Sequence, residues 1–246
     1  MVDDASAEVS MSELKHEMSL GAQHAAAFAP GERALLLWEI ASVVSSALIA
    51  EWVVLAVTDW KLALVVPVSL ACVLMLASKR AHGETRRELG FRRDNFWRAC
   101  RLLALPMIGS AMLLLLVGRF WFNAQPTIGR GRAGLALLGV PVWGFIWGLF
   151  QQYALQAFIN RRLQMFWGTG WPTTLGVALL FALLHLPNPW LMAATFLGGL
   201  IWAAVYQRAP NLWALALSHA VMTWVLVSTL PAAALGGLRV GYKYFG

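Results

Sequence analysis

Six polar side chains occur where the surrounding sequence is apolar: Gln151, Gln152 and Gln156, then His185, then His219 with Thr223. Gln152 and Gln156, and likewise His219 and Thr223, are four residues apart and would share a helix face. An imidazole can take up or release a proton near neutral pH, and amides and hydroxyls can hold a water or an oxyanion. In hydrocarbon such groups are costly unless they meet a partner or a wet cavity. A single Gln, His or Thr would be read as interhelical packing glue. Three separate segments supplying polar groups at similar depth point instead to one pocket. Counting 1.5 Å per residue, Gln151 lies about 15 Å from Arg161, His219 about 12 Å from Asn211, and His185 about 21 Å from Trp171.

The elements that position these residues are set by composition. Of 246 residues, 59% are hydrophobic and only 13% charged, with 13 Trp, which excludes a soluble enzyme. Hydrophobic runs at 34–57, 62–77, 102–117, 133–158, 173–186, 190–206 and 212–230 predict an all-α polytopic transmembrane bundle of about seven spans. The fifth run is short and ends at His185-Leu186-Pro187-Asn188-Pro189, where two prolines favour a turn. Tryptophans near span ends, such as Trp38, Trp60, Trp97, Trp121 and Trp171, would form an interfacial belt. Cys72 and Cys100 offer no disulfide framework.

Five segments are expected: a polar cytosolic tail at 1–33, two transmembrane helices within 34–80, a basic interfacial segment at 81–101, a core at 102–230 and a short tail at 231–246. The first of these lacks the basic start and apolar core of a signal peptide. With the N-terminus inside, the inner loops hold most of the 19 Lys and Arg, so an N-terminus in the cytoplasm and residence in the plasma (inner) membrane are expected. Between the second and third spans, Arg86, Arg87, Arg92, Arg93, Arg98 and Arg101 alternate with Leu89, Phe91, Phe96 and Trp97, which suits an anionic leaflet. The net charge of +7 is thus used for orientation, and no nucleic-acid partner is expected.

The order and spacing of the polar residues resemble the CPBP family of intramembrane proteases, the CAAX-protease and bacteriocin-processing group also called Abi. Its pattern is Glu-Glu-x-x-x-Arg, Phe-x-x-x-His and His-x-x-x-Asn or Asp. Gln151-Gln152-Tyr153-Ala154-Leu155-Gln156 occupies the first motif, Phe181 with His185 the second, and His219 with Thr223 the third. Leu89-Gly90-Phe91-Arg92-Arg93, Gly198-Gly199-Leu200 and Asn211-Leu212-Trp213 are similar to the family's flanking segments, so the resemblance covers roughly residues 85–230. It implies hydrolysis of a peptide bond in a membrane-embedded or lipid-modified protein. The first-motif residue and the second-motif histidine would activate water, and the third motif would stabilise the oxyanion. Carried over, these are Gln151, His185, His219 and Thr223.

The chain departs from the pattern at both glutamates, at the arginine, which is Gln156, and at Thr223. An amide can orient water but is no general base near pH 7. Replacing the arginine is coherent with this, since a buried cation without its carboxylate is costly. After Asp94 there is no acidic residue at all, so any carboxylate must come from the first span, through Glu39 or Glu51. Glu39 is expected nearer the histidines in depth, although snorkelling to headgroup water is its ordinary role. His185 and His219 could instead act alone, one as base and one as electrostatic partner. Two histidines lack the third ligand of a catalytic zinc, and neither metal nor other cofactor is expected. Absent internal repeats and a continuous polar path argue against a transporter. An endopeptidase and a catalytically impaired relative that binds a membrane partner both fit these residues.

Overall fold

The structure, a computed structural model, describes residues 30–58, 60–126 and 139–246. Among these there is no strand, and seven main helices follow in order. Helix α1 is Pro30–Leu48, continued by a π-helical stretch Ile49–Val54 and by Leu55–Val57. Helix α2 is Val65–Ala81, and α3 is Phe96–Leu116 with a π-helical end Val117–Trp121. Helix α4 runs through Gly139–Gln152, a π-helical Tyr153–Asn160 and Arg161–Trp167. Helices α5 (Trp171–Leu183), α6 (Pro189–Arg208) and α7 (Leu212–Thr229) complete the bundle.

Five segments, Gly31–Val57, Leu62–Ala81, Phe96–Trp121, Pro189–Arg208 and Leu212–Thr229, are long and apolar enough to cross a membrane. Their outward faces carry Val66, Leu105, Phe120, Trp97 and Trp121, all largely exposed, as expected where lipid tails are the solvent. The fourth predicted span begins at 133, and its first residues lie outside the described ones. Helix α5 has 13 residues, about 20 Å at 1.5 Å each, which is shorter than the roughly 30 Å hydrocarbon core. Its end before His185 follows from Pro187 and Pro189, which cannot continue a helical ladder. Helices α6 and α7 restart on asparagine caps: Asn188 Oδ1 accepts from Leu191 N at 3.2 Å and Asn211 Oδ1 from Ala214 N at 3.0 Å.

The basic segment departs from a simple surface strip. Leu89 is buried and Phe91 packs against Tyr153 and Trp213, so these two apolar residues face the protein rather than lipid. The loop is tied down by Leu212 N donating to Gly90 O, Tyr206 Oη to Leu89 O and Asn211 Nδ2 to Arg92 O. Arg87 and Arg92 pair with Asp94 within the loop. Arg86, Arg93, Arg98 and Arg101 remain exposed.

Beneath that loop lies a charge network whose centre is the fully buried Arg162. Its guanidinium donates to both Glu84 oxygens at 2.9 Å, to Glu39 Oε2 at 2.8 Å and to Ser78 Oγ at 2.6 Å, and it lies over the Phe158 ring. His82 Nε2 approaches Glu39 at 3.2 Å, and Arg161 donates to Glu84 at 2.6 Å. Burial would raise the Glu84 pKa, but hydrogen bonds from Arg162 and Arg161 outweigh it and hold the carboxyl below its ordinary value. The network locks α1, α2, the basic loop and α4 together at one end of the bundle.

Candidate active site

Helices α4 and α7 meet closely because α4 presents glycine at the crossing: a Cβ on Gly148 would lie 3.2 Å from the His219 side chain. His219 is buried, and its ring stacks on Trp202 of α6 at 4.7 Å and 7° between planes. Gln152 of α4 donates from Nε2 to His219 Nδ1 at 3.2 Å. An amide nitrogen can only donate, so Nδ1 is the accepting nitrogen and the neutral ring carries its proton on Nε2.

His185 has the opposite arrangement. It stands in the turn after α5, its Nδ1 lies 2.8 Å from Phe181 O, and its ring meets the Phe181 ring edge-on at 4.9 Å. A carbonyl can only accept, so Nδ1 holds the proton and Nε2 keeps a free lone pair. The site therefore contains one imidazole prepared to take a proton at Nε2 and one prepared to donate from Nε2.

Gln151, His185, His219 and Thr223 line one cavity of about 480 Å³, walled otherwise mainly by apolar residues of α1 to α7. Gln152 supports His219 from behind and is fully buried. Gln156 does not line this cavity. It is fully buried, accepts from Asn160 Nδ2 at 2.7 Å, and through Asn160 joins a polar chain to Gln164 and Gln207. Gln152 Oε1 and Gln156 Nε2 are buried without hydrogen-bond partners. They are an acceptor and a donor four residues apart on α4, at the places of the family's carboxylate and guanidinium.

The expectation for the first-span carboxylates is reversed. Glu39 is held in the Arg162 network, whereas Glu51 lines the cavity with the two histidines. Depth along α1 does not determine which neighbouring helix each carboxylate meets. In the sequence Arg162 is only one basic residue near the end of an apolar run, because its partners Glu39, Ser78 and Glu84 are remote from it. Among the described residues, no three His, Cys, Asp or Glu are placed to hold a metal ion.

A family model described as Type II CAAX prenyl endopeptidase Rce1-like matches residues 133–225. That stretch contains all six polar positions, so the motif resemblance and the family match fall on the same residues. Neither curated proteins nor solved structures gave a match. The apolar helices make the chain an integral membrane protein, and its residues 133–225 are similar to CAAX-type endopeptidases.

Proposed function

We propose that the protein is an intramembrane endopeptidase that hydrolyses a peptide bond in a membrane-embedded or lipid-modified protein. The observation that carries this reading is the complementary pair of imidazoles on one cavity, His185 with Nε2 free to accept and His219 with Nε2–H to donate. Gln151 and His185 hold a water, and His185 takes its proton as oxygen attacks the scissile carbonyl. His219 Nε2–H and the Thr223 hydroxyl donate to the oxyanion. Collapse breaks the C–N bond, and His185 returns the proton to the leaving amine.

The exposed Arg86, Arg93, Arg98 and Arg101 support contact with anionic lipid on the side of the Arg162 network. The same charge bias supports a cytoplasmic N-terminus in the plasma (inner) membrane. A second reading is favoured by one feature: both first-motif positions are amides, and one is already bonded to His219. On that reading the cavity binds a membrane partner without cutting it.

The test compares membrane and secreted peptides by mass spectrometry in cells lacking the protein and cells restored with wild type, His185→Ala or His219→Ala. A product present with wild type and lost with both variants is expected. No product at verified membrane levels, together with cleavage created by Gln151→Glu plus Gln152→Glu, would establish the binding reading instead.

A further inference from the structure

We infer that Glu51 supplies the negative charge that the first motif lacks, acting as the counter-charge to the His185 imidazolium during hydrolysis. The inference rests on the endopeptidase reading.

Taking a proton from water leaves a cation on His185 inside a cavity walled mostly by apolar side chains. Unpaired, that charge opposes the step that makes it, because a low-polarity surround offers little solvation. The first motif contributes only neutral amides, and no acidic residue follows Asp94. Among the described residues, Glu51 is the carboxylate that lines the cavity. Its Oε2 is buried and has no hydrogen-bond partner, unlike the carboxylates of Glu39 and Glu84, which are taken up by Arg162.

The backbone around Glu51 is arranged to hold it there. It lies in the π-helical stretch Ile49–Val54 of α1, a distortion that re-aims side chains and recurs at functional sites. The chain after α7 folds back over this point, and Leu238 and Val240 join the cavity wall. Gly241, at φ +58°, comes so close that a Cβ there would lie 2.7 Å from the Glu51 Cβ and 2.6 Å from its backbone oxygen. The same residue donates from N to Leu186 O at 2.7 Å, and Leu186 follows His185. One glycine thus touches both the acid-bearing turn and the histidine-bearing turn, fixing them at the same end of the cavity.

Glu51 acts in its ionised form and neither takes nor gives a proton in the step. A water O–H bond breaks and its proton moves to His185 Nε2, while the water oxygen bonds the carbonyl carbon and the C=O pair moves onto oxygen. The C–N bond then breaks and the proton passes from His185 to the amine. Glu51 is a positioning residue by this account, since it acts on His185 through charge.

The experiment uses the full chain in lipid nanodiscs, with the solubilised membrane proteome of cells lacking the protein as probe. Initial product rates are followed by mass spectrometry across probe concentrations. Glu51→Gln should lower the saturated rate about 10- to 100-fold, the change that a loss of about one to two units in the basicity of His185 would bring, with half-saturation moved less than about twofold. Adding Gln151→Glu to Glu51→Gln should recover part of the rate, because it returns a carboxylate to the same cavity. Gly241→Val, which touches no reacting group, should also slow the saturated rate by displacing Glu51. Thermal melting of each variant reports folding. If wild type forms a His185-dependent product and Glu51→Gln forms it within twofold, or if Gln151→Glu rescues nothing, the role of Glu51 is overturned and the endopeptidase reading stands. If wild type forms no His185-dependent product, both fall.

Discussion

Gln152 and His219 are joined by a 3.2 Å hydrogen bond in which the amide donates to Nδ1, and this contact sets which imidazole nitrogen carries the proton. The Phe181 carbonyl does the reverse for His185. Histidine-selective ¹⁵N NMR of the protein in nanodiscs should therefore show two neutral tautomers, Nε2–H at His219 and Nδ1–H at His185. Gln152→Leu should remove the preference at His219 while leaving His185 unchanged. It should also cost about 1–3 kcal/mol of stability, because Nδ1 is left buried without a donor.

The Gly148 crossing makes a steric prediction. A Cβ at that position stands 3.2 Å from His219, closer than comfortable packing. Gly148→Val should force α4 and α7 apart or move His219, costing about 1–3 kcal/mol as overpacking does. Product formation should fall with it, whereas Gly109→Val, at a position with open space around it, should leave the rate unchanged.

How much of this was legible in the sequence depends on the range of the interaction. The apolar runs predicted the helices well, and the short fifth run with its prolines predicted the break that places His185 in a turn. The i, i+4 pairs of α4 and α7 were also visible, because local spacing determines a helix face. What the sequence hid were contacts between distant segments. Glu39 and Glu51 differ by about three turns of α1, yet one meets Arg162 and the other the cavity, a distinction set by neighbouring helices. Leu89 and Phe91 likewise suit a lipid surface by sequence, but the bonds from Leu212 N and Asn211 Nδ2 to the loop backbone turn it inward.

The Glu84–Arg162 contact predicts an acid limit to stability. The folded-state pKa of Glu84 is depressed below its ordinary 4.5 by its arginine partners. A depressed carboxylate contributes stability that is fully present above the unfolded value and is lost as pH falls through the folded one. Wild type should thus melt higher than Glu84→Gln at pH 7, and the gap should close as pH drops below about 4.5. Arg162→Met should be worse than either, by about 3–5 kcal/mol at pH 7, because it removes the fully buried cation that Glu39 and Glu84 share and leaves them only Arg161 and His82 at the edge of the network.

Gln152 and Gln156 allow the missing ion pair of the first motif to be rebuilt. Their orphaned Oε1 and Nε2 lie on α4 in a region with no solvent exposure. Gln156→Arg alone places a guanidinium beside a neutral amide, in a pocket whose other nearby group is the Asn160 amide. It should destabilise the protein by about 3–5 kcal/mol, the range for an unpaired buried charge. Gln152→Glu alone should also destabilise, because its carboxylate would be buried without a cation. The double variant should recover most of the loss, so that the melting temperatures give a large favourable coupling between the two positions. If the changes were simply additive, the two amides would not stand in for an ion pair, and the polar chain through Asn160 would be independent of His219.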